Sequence, residues 1–250
     1  MTKRIKTGIK GFDELVDGGF PEGFIILLAG APGTGKSLFS LSYLAHGASQ
    51  EKEKAMYITL EQNLVDIREQ AKDIGINIEK LEKNGMLTLM HVPVKELTTH
   101  TVDQITKEVK KRGIKRLVID SLSTLAVNAP VYAPLRDFAL KDVMNYKAFF
   151  SPPILGDFVV KRFIYNFLAD LKEIGCTTIV TSESPEKGEY MSRDTVSEFI
   201  SDGVILMTYE SLGGNYSRSL LVRKMRGTKN NEDVHPVEIS KKGVVVHNIK

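Results

Sequence analysis

The sequence predicts an α/β fold with a mostly parallel central sheet, helices on both faces of the sheet, and a C-terminal β meander. Two observations support this prediction. Short apolar runs typical of buried strands alternate with longer amphipathic stretches typical of helices, and such alternation implies parallel strands joined by helical crossovers. After residue 200 the helical stretches stop, and β-rich stretches follow at 203–209, 219–224 and 244–247. No linker or internal repeat divides residues 1–250, so we expect a single domain.

The alternation is clearest in the first half of the chain. Residues 24–29 are continuously apolar and stop at a glycine, which fits a strand buried on both faces. Residues 35–48 follow as a helix, because Leu38, Leu41 and Leu44 share one face. The next predicted elements, in order, are a strand at 55–60, a helix at 62–74, a strand at 86–92, a helix at 101–112 and a strand at 116–120.

Prolines interrupt the pattern after residue 120. Pro130, Pro134, Pro152 and Pro153 predict irregular chain, with a helix at 135–149 between them. We therefore interpret 127–155 as a variable loop or helical insertion. The alternation then resumes with a helix at 154–174 and a strand at 176–182.

Composition excludes several classes of protein. The chain has 42% hydrophobic residues and a net charge of only +3, which excludes a mainly disordered chain. One cysteine, Cys176, excludes a disulfide scaffold and suits a reducing cytoplasm. No run approaches the roughly 20 apolar residues of a membrane span. We therefore expect a cytoplasmic protein without a membrane partner, and the near balance of charge gives no argument for nucleic acid.

The most specific pattern is a glycine-rich octapeptide, GAPGTGKS at residues 30–37. It matches G-x-x-x-x-G-K-[ST] and lies between a predicted strand and a predicted helix, as phosphate-binding loops do. Its glycines let successive N–H groups point at phosphate oxygens, the lysine reaches the β- and γ-phosphates, and the serine hydroxyl binds Mg²⁺. The residues predicted to bind the nucleotide are Gly30, Ala31, Pro32, Gly33, Thr34, Gly35, Lys36, Ser37 and Leu38.

Two carboxylates lie at the ends of predicted strands. Asp120 ends the strand at 116–120, where α/β sheets bind ligands, and is predicted to hold Mg²⁺ with Ser37. Glu61 follows the strand at 55–60 and is the candidate general base for a water aimed at the γ-phosphorus. Each acid could instead cap the helix that comes after it.

The chain resembles the KaiC-like ATPases of the RecA superfamily, most closely the single-domain, archaeal-type members. The resemblance rests on residues 7–23 ahead of the phosphate loop, on 198–204 (EFISDGV), and on the closing pattern KMRGT at 224–228 with Pro236, Ile239 and Gly243. These matches run over almost the whole chain and are specific as a set. They imply a RecA-like P-loop NTPase fold.

The resemblance also implies roles for particular residues. Glu61 falls at the catalytic glutamate of the superfamily, but Gln62 follows it where the circadian family has a second acid, which looks more like the RadA-type recombinases. Lys224 and Arg226 fall on a basic pair that reaches the γ-phosphate of a neighbouring subunit, or they could be a solvated strand end. Residues 181–183 fall where the superfamily senses the γ-phosphate. The catalytic set is thus Glu61, Lys36, Lys224 and Arg226.

The expected function is Mg²⁺-dependent hydrolysis of ATP at the subunit interfaces of a homo-oligomeric ring, expected to be hexameric. One biological role is a DNA-dependent ATPase in repair or recombination; the alternative is a nucleotide-switched signalling or scaffold ring, with autophosphorylation as a weaker variant. The aromatic and basic side chains of 127–155 could stack on single-stranded DNA, although their helical spacing favours a flap that packs on protein. The basic run at 107–116 is interpreted as the solvated face of a helix and its turn.

Overall fold

A nine-stranded sheet forms the centre of the computed structural model, which describes residues 3–97, 100–132, 152–184, 192, 194–212 and 215–248. Its nine strands are β3 (Ile25–Gly30), β4 (Ala55–Thr59), β5 (Leu87–His91), β6 (Arg116–Asp120), β7 (Thr177–Glu183), β8 (Gly203–Leu212), β9 (Asn215–Met225), β10 (Val234–Ser240) and β11 (Gly243–Val246). Two short strands, β1 (Arg4–Ile5) and β2 (Phe20–Pro21), pair with each other in a separate sheet. The helices are α1 (Lys36–His46), α2 (Leu64–Asp73), α3 (Ile78–Lys83), α4 (Thr101–Arg112), α5 (Leu122–Tyr132), α6 (Pro152–Ile174) and α7 (Ser197–Ile200).

The strand order of the large sheet is β11-β10-β9-β8-β3-β7-β6-β4-β5. The strands from β8 to β5 in this order pair in parallel, and β8, β9, β10 and β11 pair antiparallel with one another. This topology confirms the predicted parallel sheet with a C-terminal meander. It also brings the carboxyl ends of β3, β7, β6 and β4 to one edge, where ligands bind in α/β sheets.

The inner parallel strands β3, β4, β6 and β7 are buried on both faces because helices cover the sheet on both sides. On β3, Ile26 and Leu28 pack in the same cluster as Phe39 and Leu44 of α1. The alternate residues of β3 pack in a second cluster with α4, α5 and α6. This two-sided burial explains why the parallel strands are recognisable as continuous apolar runs. None of the helices in the described part of the chain combines the length and apolarity that a membrane span requires.

One member of the basic run at 107–116 is not solvated. Lys107, Lys110, Lys111, Arg112 and Lys115 are exposed as expected, but the Arg116 side chain is 1% exposed. Its Nε donates to Glu53 at 2.6 Å, and its Nη1 donates to the carbonyls of Lys6 and Tyr43. The guanidinium also lies over the Tyr43 ring. The solvated-face interpretation was therefore wrong for Arg116, because β6 is a central strand and its first side chain points into the protein.

The prediction of irregular chain directly after residue 120 was also wrong. Helix α5 begins at Leu122, and the Ser121 hydroxyl accepts the Thr124 N–H at its start. Pro130 lies near the end of this helix, where a missing N–H costs one hydrogen bond and need not stop the helix earlier. The predicted helix at 135–149 and most of the predicted insertion lie outside the described residues.

Five further elements were not predicted, namely the short strands β1 and β2, the helices α3 and α7, and strand β10. Helix α3 spans six residues, too few to show an apolar period, and the Asn77 side chain caps it. Strand β10 alternates buried and exposed side chains, with His235 and Val237 buried, but Pro236 and nearby charges obscure this alternation in the sequence.

Candidate functional site

The glycine-rich loop joins β3 to α1, as predicted. Gly30 ends β3 so close to the carbonyl oxygen of Met207 on β8 that a side chain at this position would collide with it. Gly35 has a φ of 106°, in the region that favours glycine, and its backbone precedes the first turn of α1. The loop therefore lies at the positive end of an eleven-residue helix, which is the arrangement that binds phosphate. Leu38, at the third position of α1, packs against the core.

Lys36 is the first residue of α1 and folds back along the loop. Its Nζ donates to the Gly30 carbonyl at 2.7 Å and to the Ala31 carbonyl at 3.0 Å. An ammonium has three N–H donors, so one donor remains for a phosphate oxygen. Burial lowers the pKa of Lys36, while Asp120, Glu183 and Glu61 act in the opposite direction. A bound polyphosphate would favour the charged lysine, so binding and protonation support each other.

Asp120 and Ser37 are in direct contact. The Ser37 hydroxyl donates to Asp120 Oδ2 at 2.8 Å, although 83 positions separate the two residues. The Tyr57 hydroxyl donates to the same oxygen, and Thr181 donates to Oδ1 at 2.6 Å. Burial and the negative charge of Asp120 raise the pKa of Tyr57 well above its ordinary value, so Tyr57 stays a hydrogen-bond donor. Tyr57 was not predicted to belong to the site, because its place inside a buried strand gave no signal of a polar role.

The Ser37–Asp120 pair has the donor chemistry of a Mg²⁺ site. One hydroxyl and one carboxylate are oxygen ligands, which Mg²⁺ prefers. Within the described residues, no group of three or more His, Cys, Asp or Glu side chains could hold a metal. This sparse protein set fits Mg²⁺, because the ion usually takes only one or two carboxylates and completes its shell with waters and substrate phosphates.

Glu61 lies beside Asp120 at the same edge of the sheet. Its Oε1 accepts a hydrogen bond from the Ser121 hydroxyl at 2.6 Å and another from the Thr124 hydroxyl. It does not cap α2, because the Asn63 side chain accepts the N–H groups of Val65 and Asp66. Ser121 and Thr124 are functional candidates that sequence analysis missed, since their proximity to Glu61 depends on the pairing of β4 with β6.

The predicted phosphate sensors at the end of β7 lie in the same network. Thr181 binds Asp120, Ser182 shares a hydrogen bond with Ser123 at 3.1 Å, and the Glu183 N–H donates to Ser123 at 2.8 Å. Loop, acids and β7 together enclose a cleft of about 150 Å³. The cleft is lined by Pro32, Gly33, Lys36, Ser37, Thr59, Glu61, Gln62, Asp120, Ser121 and Glu183.

A tyrosine and an arginine on the meander hold the outer side of the loop. The Tyr209 hydroxyl donates to the Gly33 carbonyl at 2.6 Å, and the Arg218 guanidinium lies 5.1 Å from the centre of the Tyr209 ring. These two residues face each other across β8 and β9. Neither residue was predicted from the sequence, because no motif links strands β8 and β9 to the loop.

The structure does not bring Lys224 and Arg226 to the phosphate loop of their own chain. The neighbouring Met225 pairs with Gly203, which pairs with Ile26 at the start of β3, whereas Gly30 at its end pairs with Met207. Four strand positions correspond to roughly 13 Å. Lys224 and Arg226 instead donate to carbonyls at the end of α7, and Arg226 also pairs with Asp202.

Comparisons with known proteins agree with this architecture. A UPF0273 protein of Methanocaldococcus jannaschii is 31% identical, over 98% of this chain and 96% of its own length. The circadian clock oscillator protein KaiC of Prochlorococcus marinus is 30% identical over 98% of this chain but only 45% of its own length. The KaiC-like protein PH0186 of Pyrococcus horikoshii has a solved structure with a TM-score of 0.80 and 33% identity, and the match covers 99% of this chain and all of that one.

The family model described as the KaiC ATPase matches residues 5–146 and 154–250, which is nearly the whole chain. Together with the fold and the similar proteins, this match shows that the chain belongs to the KaiC family of ATPase domains within the RecA superfamily, in its single-domain, KaiC-like form.

Proposed function

We propose that this protein is a Mg²⁺-dependent ATPase that hydrolyses ATP at the interfaces between the subunits of a hexameric ring. The observation that carries the proposal is the meeting of three separate segments at one sheet edge. Loop 30–37, the Ser37–Asp120 pair and Glu61 all line one cleft. Phosphoryl transfer needs this combination of anion cradle, metal ligands and water-orienting acid.

Each group in the cleft has a chemical task. The loop N–H groups and Lys36 bind the β- and γ-phosphates, and Glu61 orients a water and accepts its proton as that water attacks the γ-phosphorus. The bond from the γ-phosphorus to the ADP oxygen breaks, and inorganic phosphate leaves. Ser121 and Thr124 hold the Glu61 carboxylate in its orientation. Ser37 and Asp120 would hold Mg²⁺, which neutralises phosphate charge when bound.

The cleft of a single chain is incomplete, and this supports the interface. Its volume of about 150 Å³ is below the roughly 300–1,000 Å³ of ligand pockets, so it suits the phosphates and leaves the nucleoside without a pocket. Among the described residues that line the cleft there is no arginine. A second subunit can supply both a wall for the nucleoside and the basic pair Lys224 and Arg226. Because transition-state charge develops on the phosphoryl oxygens, a guanidinium supplied in trans stabilises it.

Mixing two inactive variants tests the trans arrangement. Arg226→Ala leaves Glu61 intact, and Glu61→Gln leaves Arg226 intact. In mixed rings some interfaces combine a normal Glu61 with a normal Arg226, so ATP turnover should reappear. An arginine of this kind contributes about 1,000- to 100,000-fold to kcat, so the rescue is measurable against either variant alone. Arg223→Ala, at an exposed position on the same strand, is the charge-matched control and should keep normal turnover.

Two outcomes contradict the proposal. Mixed rings that assemble, as seen by light scattering, yet stay inactive would remove the trans role of Arg226. Full activity of Arg226→Ala alone would remove its role altogether.

The biological role of the ring divides into two testable cases. Gln62 follows Glu61 in the sequence, as in the RadA-type recombinases that this stretch resembles. A DNA-dependent ATPase is therefore the first case to test. Single-stranded DNA should then raise turnover, and salt should weaken the effect strongly because phosphate contacts release counterions. Turnover indifferent to DNA would favour the signalling or scaffold ring.

A further inference from the structure

Asp202 is a buried carboxylate that joins three parts of the fold. It lies between α7 and β8, and its side chain is 4% exposed. Oδ1 accepts hydrogen bonds from Lys172 of α6 at 2.8 Å and from Arg226 after β9 at 3.0 Å. Oδ2 accepts the Ile25 N–H at the start of β3. The carboxylate therefore ties the Arg226 guanidinium to the central sheet.

The charge of Asp202 is well stabilised. Burial alone would raise the pKa of Asp202, but the hydrogen bonds from Lys172, from the Ile25 N–H and from Arg226 outweigh burial and lower it. Asp202 is therefore an anion at neutral pH. Because Arg226 faces a permanent negative charge, its orientation has an electrostatic as well as a geometric origin.

Several groups of its own subunit bind Arg226, but they leave some of its N–H donors available. Its backbone N–H donates to the Asp202 carbonyl at 2.9 Å, and Nη1 and Nη2 donate to carbonyls of α7 residues Ile200 and Phe199. The side chain is nonetheless 47% exposed. Of the five N–H donors of a guanidinium, the described residues engage three, so two remain for a group outside the subunit.

We infer that Asp202 is a positioning residue that fixes the Arg226 guanidinium in the orientation in which its remaining donors meet the phosphates on a neighbouring subunit. This inference rests on the proposed function, in which Arg226 acts in trans. Asp202 does not touch the nucleotide. Lys172 and Arg226 both donate to Oδ1 of Asp202, and among the partners described above Lys172 contacts only Asp202. Lys172 therefore neutralises part of the buried charge without holding Arg226.

Three substitutions separate positioning from simple structural support. Asp202→Asn keeps the shape and removes the charge, and Asp202→Glu keeps the charge and displaces it by one methylene. Both should lower kcat, by up to about 100-fold for a shift of about 1 Å, with little change in KM because the phosphate cleft is untouched. Lys172→Met removes the other cation on Oδ1 and should turn over ATP at a rate close to that of the wild type.

Mixtures of variants then identify which group Asp202 acts through. Asp202→Asn mixed with Glu61→Gln should regain turnover, because the second variant supplies a correctly held Arg226. Asp202→Asn mixed with Arg226→Ala should stay inactive, because both variants lack a working arginine. An Asp202→Asn chain that cannot fold would fail in the first mixture as well, and Asp202→Glu is then assessed by the same mixtures.

The outcomes distinguish this inference from the proposed function. If Arg226→Ala and Glu61→Gln do not complement each other, the trans arrangement itself is wrong. If they do, the role of Asp202 is overturned by wild-type kcat in both Asp202 variants, or by restored turnover when Asp202→Asn is mixed with Arg226→Ala. A fall in kcat for Lys172→Met equal to that of Asp202→Asn also overturns it, because the carboxylate would then act through α6.

Discussion

At the scale of single residues, Lys36 has the most exacting position. Its Nζ already donates to two loop carbonyls, and burial lowers its pKa, so the cation is both oriented and poorly solvated. A desolvated cation gains more from an anion than a solvated one does, because it has less water to lose. Because Lys36 binds two carbonyls of the loop, it also stabilises the conformation of the loop.

Lys36→Ala should therefore abolish tight ATP binding, since it removes both the charge on the phosphates and the bonds that shape the loop. Isothermal titration calorimetry with ATP and Mg²⁺ measures this directly. Lys72→Ala, at an exposed position on α2, is the control and should bind normally. Unchanged affinity in Lys36→Ala would contradict the assignment of the phosphate loop.

Glu61→Gln should leave ATP binding intact and lower turnover by about 100- to 10,000-fold, the usual contribution of a general base. An amide keeps the size of the carboxylate and its bonds to Ser121 and Thr124, but it cannot accept the proton of the attacking water. Steady-state phosphate release checks the prediction, with the exposed Glu69→Gln as the charge-matched control. Near-normal turnover would transfer the role of base to another acid in the cleft, and Glu183 is the first to test.

At the scale of elements, the buried end of β6 connects parts of the chain that are distant in sequence. Arg116 pairs with Glu53 before β4, and it binds carbonyls of Lys6 in the N-terminal segment and Tyr43 in α1. Gly47 allows this contact, because a side chain there would occupy the space of the Arg116 guanidinium. One residue therefore ties α1 and the N-terminal segment to the sheet that carries the site.

Arg116→Met should lower the free energy of unfolding by about 3–5 kcal/mol, because the change leaves the Glu53 carboxylate without its cation and two carbonyls without a donor. Urea denaturation followed by circular dichroism measures the loss. The control is Arg112→Met, which breaks an exposed pair with Glu108 on α4 and should change stability little. A small effect of Arg116→Met would mean that water replaces these bonds.

At the scale of the whole molecule, the two halves of the proposed catalytic centre lie toward opposite edges of the parallel sheet. Lys36, Asp120 and Glu61 follow the carboxyl ends of their strands, while Lys224 and Arg226 lie beside the start of β3. Within one subunit four strand positions, roughly 13 Å, separate them, whereas the proposed head-to-tail contact between subunits would bring them together. Such a heterologous contact closes into a ring when its rotation permits.

Turnover per subunit should accordingly rise with protein concentration until the ring is populated, because assembly is governed by mass action. Phosphate release over a dilution series, run beside light-scattering mass with and without ATP, checks this. The two curves should have the same midpoint. Constant specific activity across a range in which the mass falls to that of one subunit would show that a single chain hydrolyses ATP alone.

Sequence patterns alone were enough to predict the fold class and the place of the glycine-rich loop between a strand and a helix. Alternating apolar runs predicted the parallel sheet, because a strand buried on both faces must be apolar along its length. Helix 101–112 and strand 116–120 were predicted with the bounds that the structure has. The loop could be predicted because its glycines, lysine and serine are contiguous, so that the motif is recognisable without knowledge of distant partners.

Which distant residues share a site could be seen only once the strands were in place. Tyr57, Ser121 and Thr124 contact the two acids because β4 pairs with β6, and Tyr209 reaches Gly33 because β8 lies beside β3. Arg116 was predicted to be a solvated surface cation, but it is buried in a central strand, where its ion pair with Glu53 stabilises the fold. In the sequence, Asp202 was only one residue of the stretch 198–204 on which the family resemblance rests. Its hydrogen bonds from the Ile25 N–H, Lys172 and Arg226 are visible only in the structure. Strand order brings these groups together, and no pattern in the sequence of any single segment encodes that order.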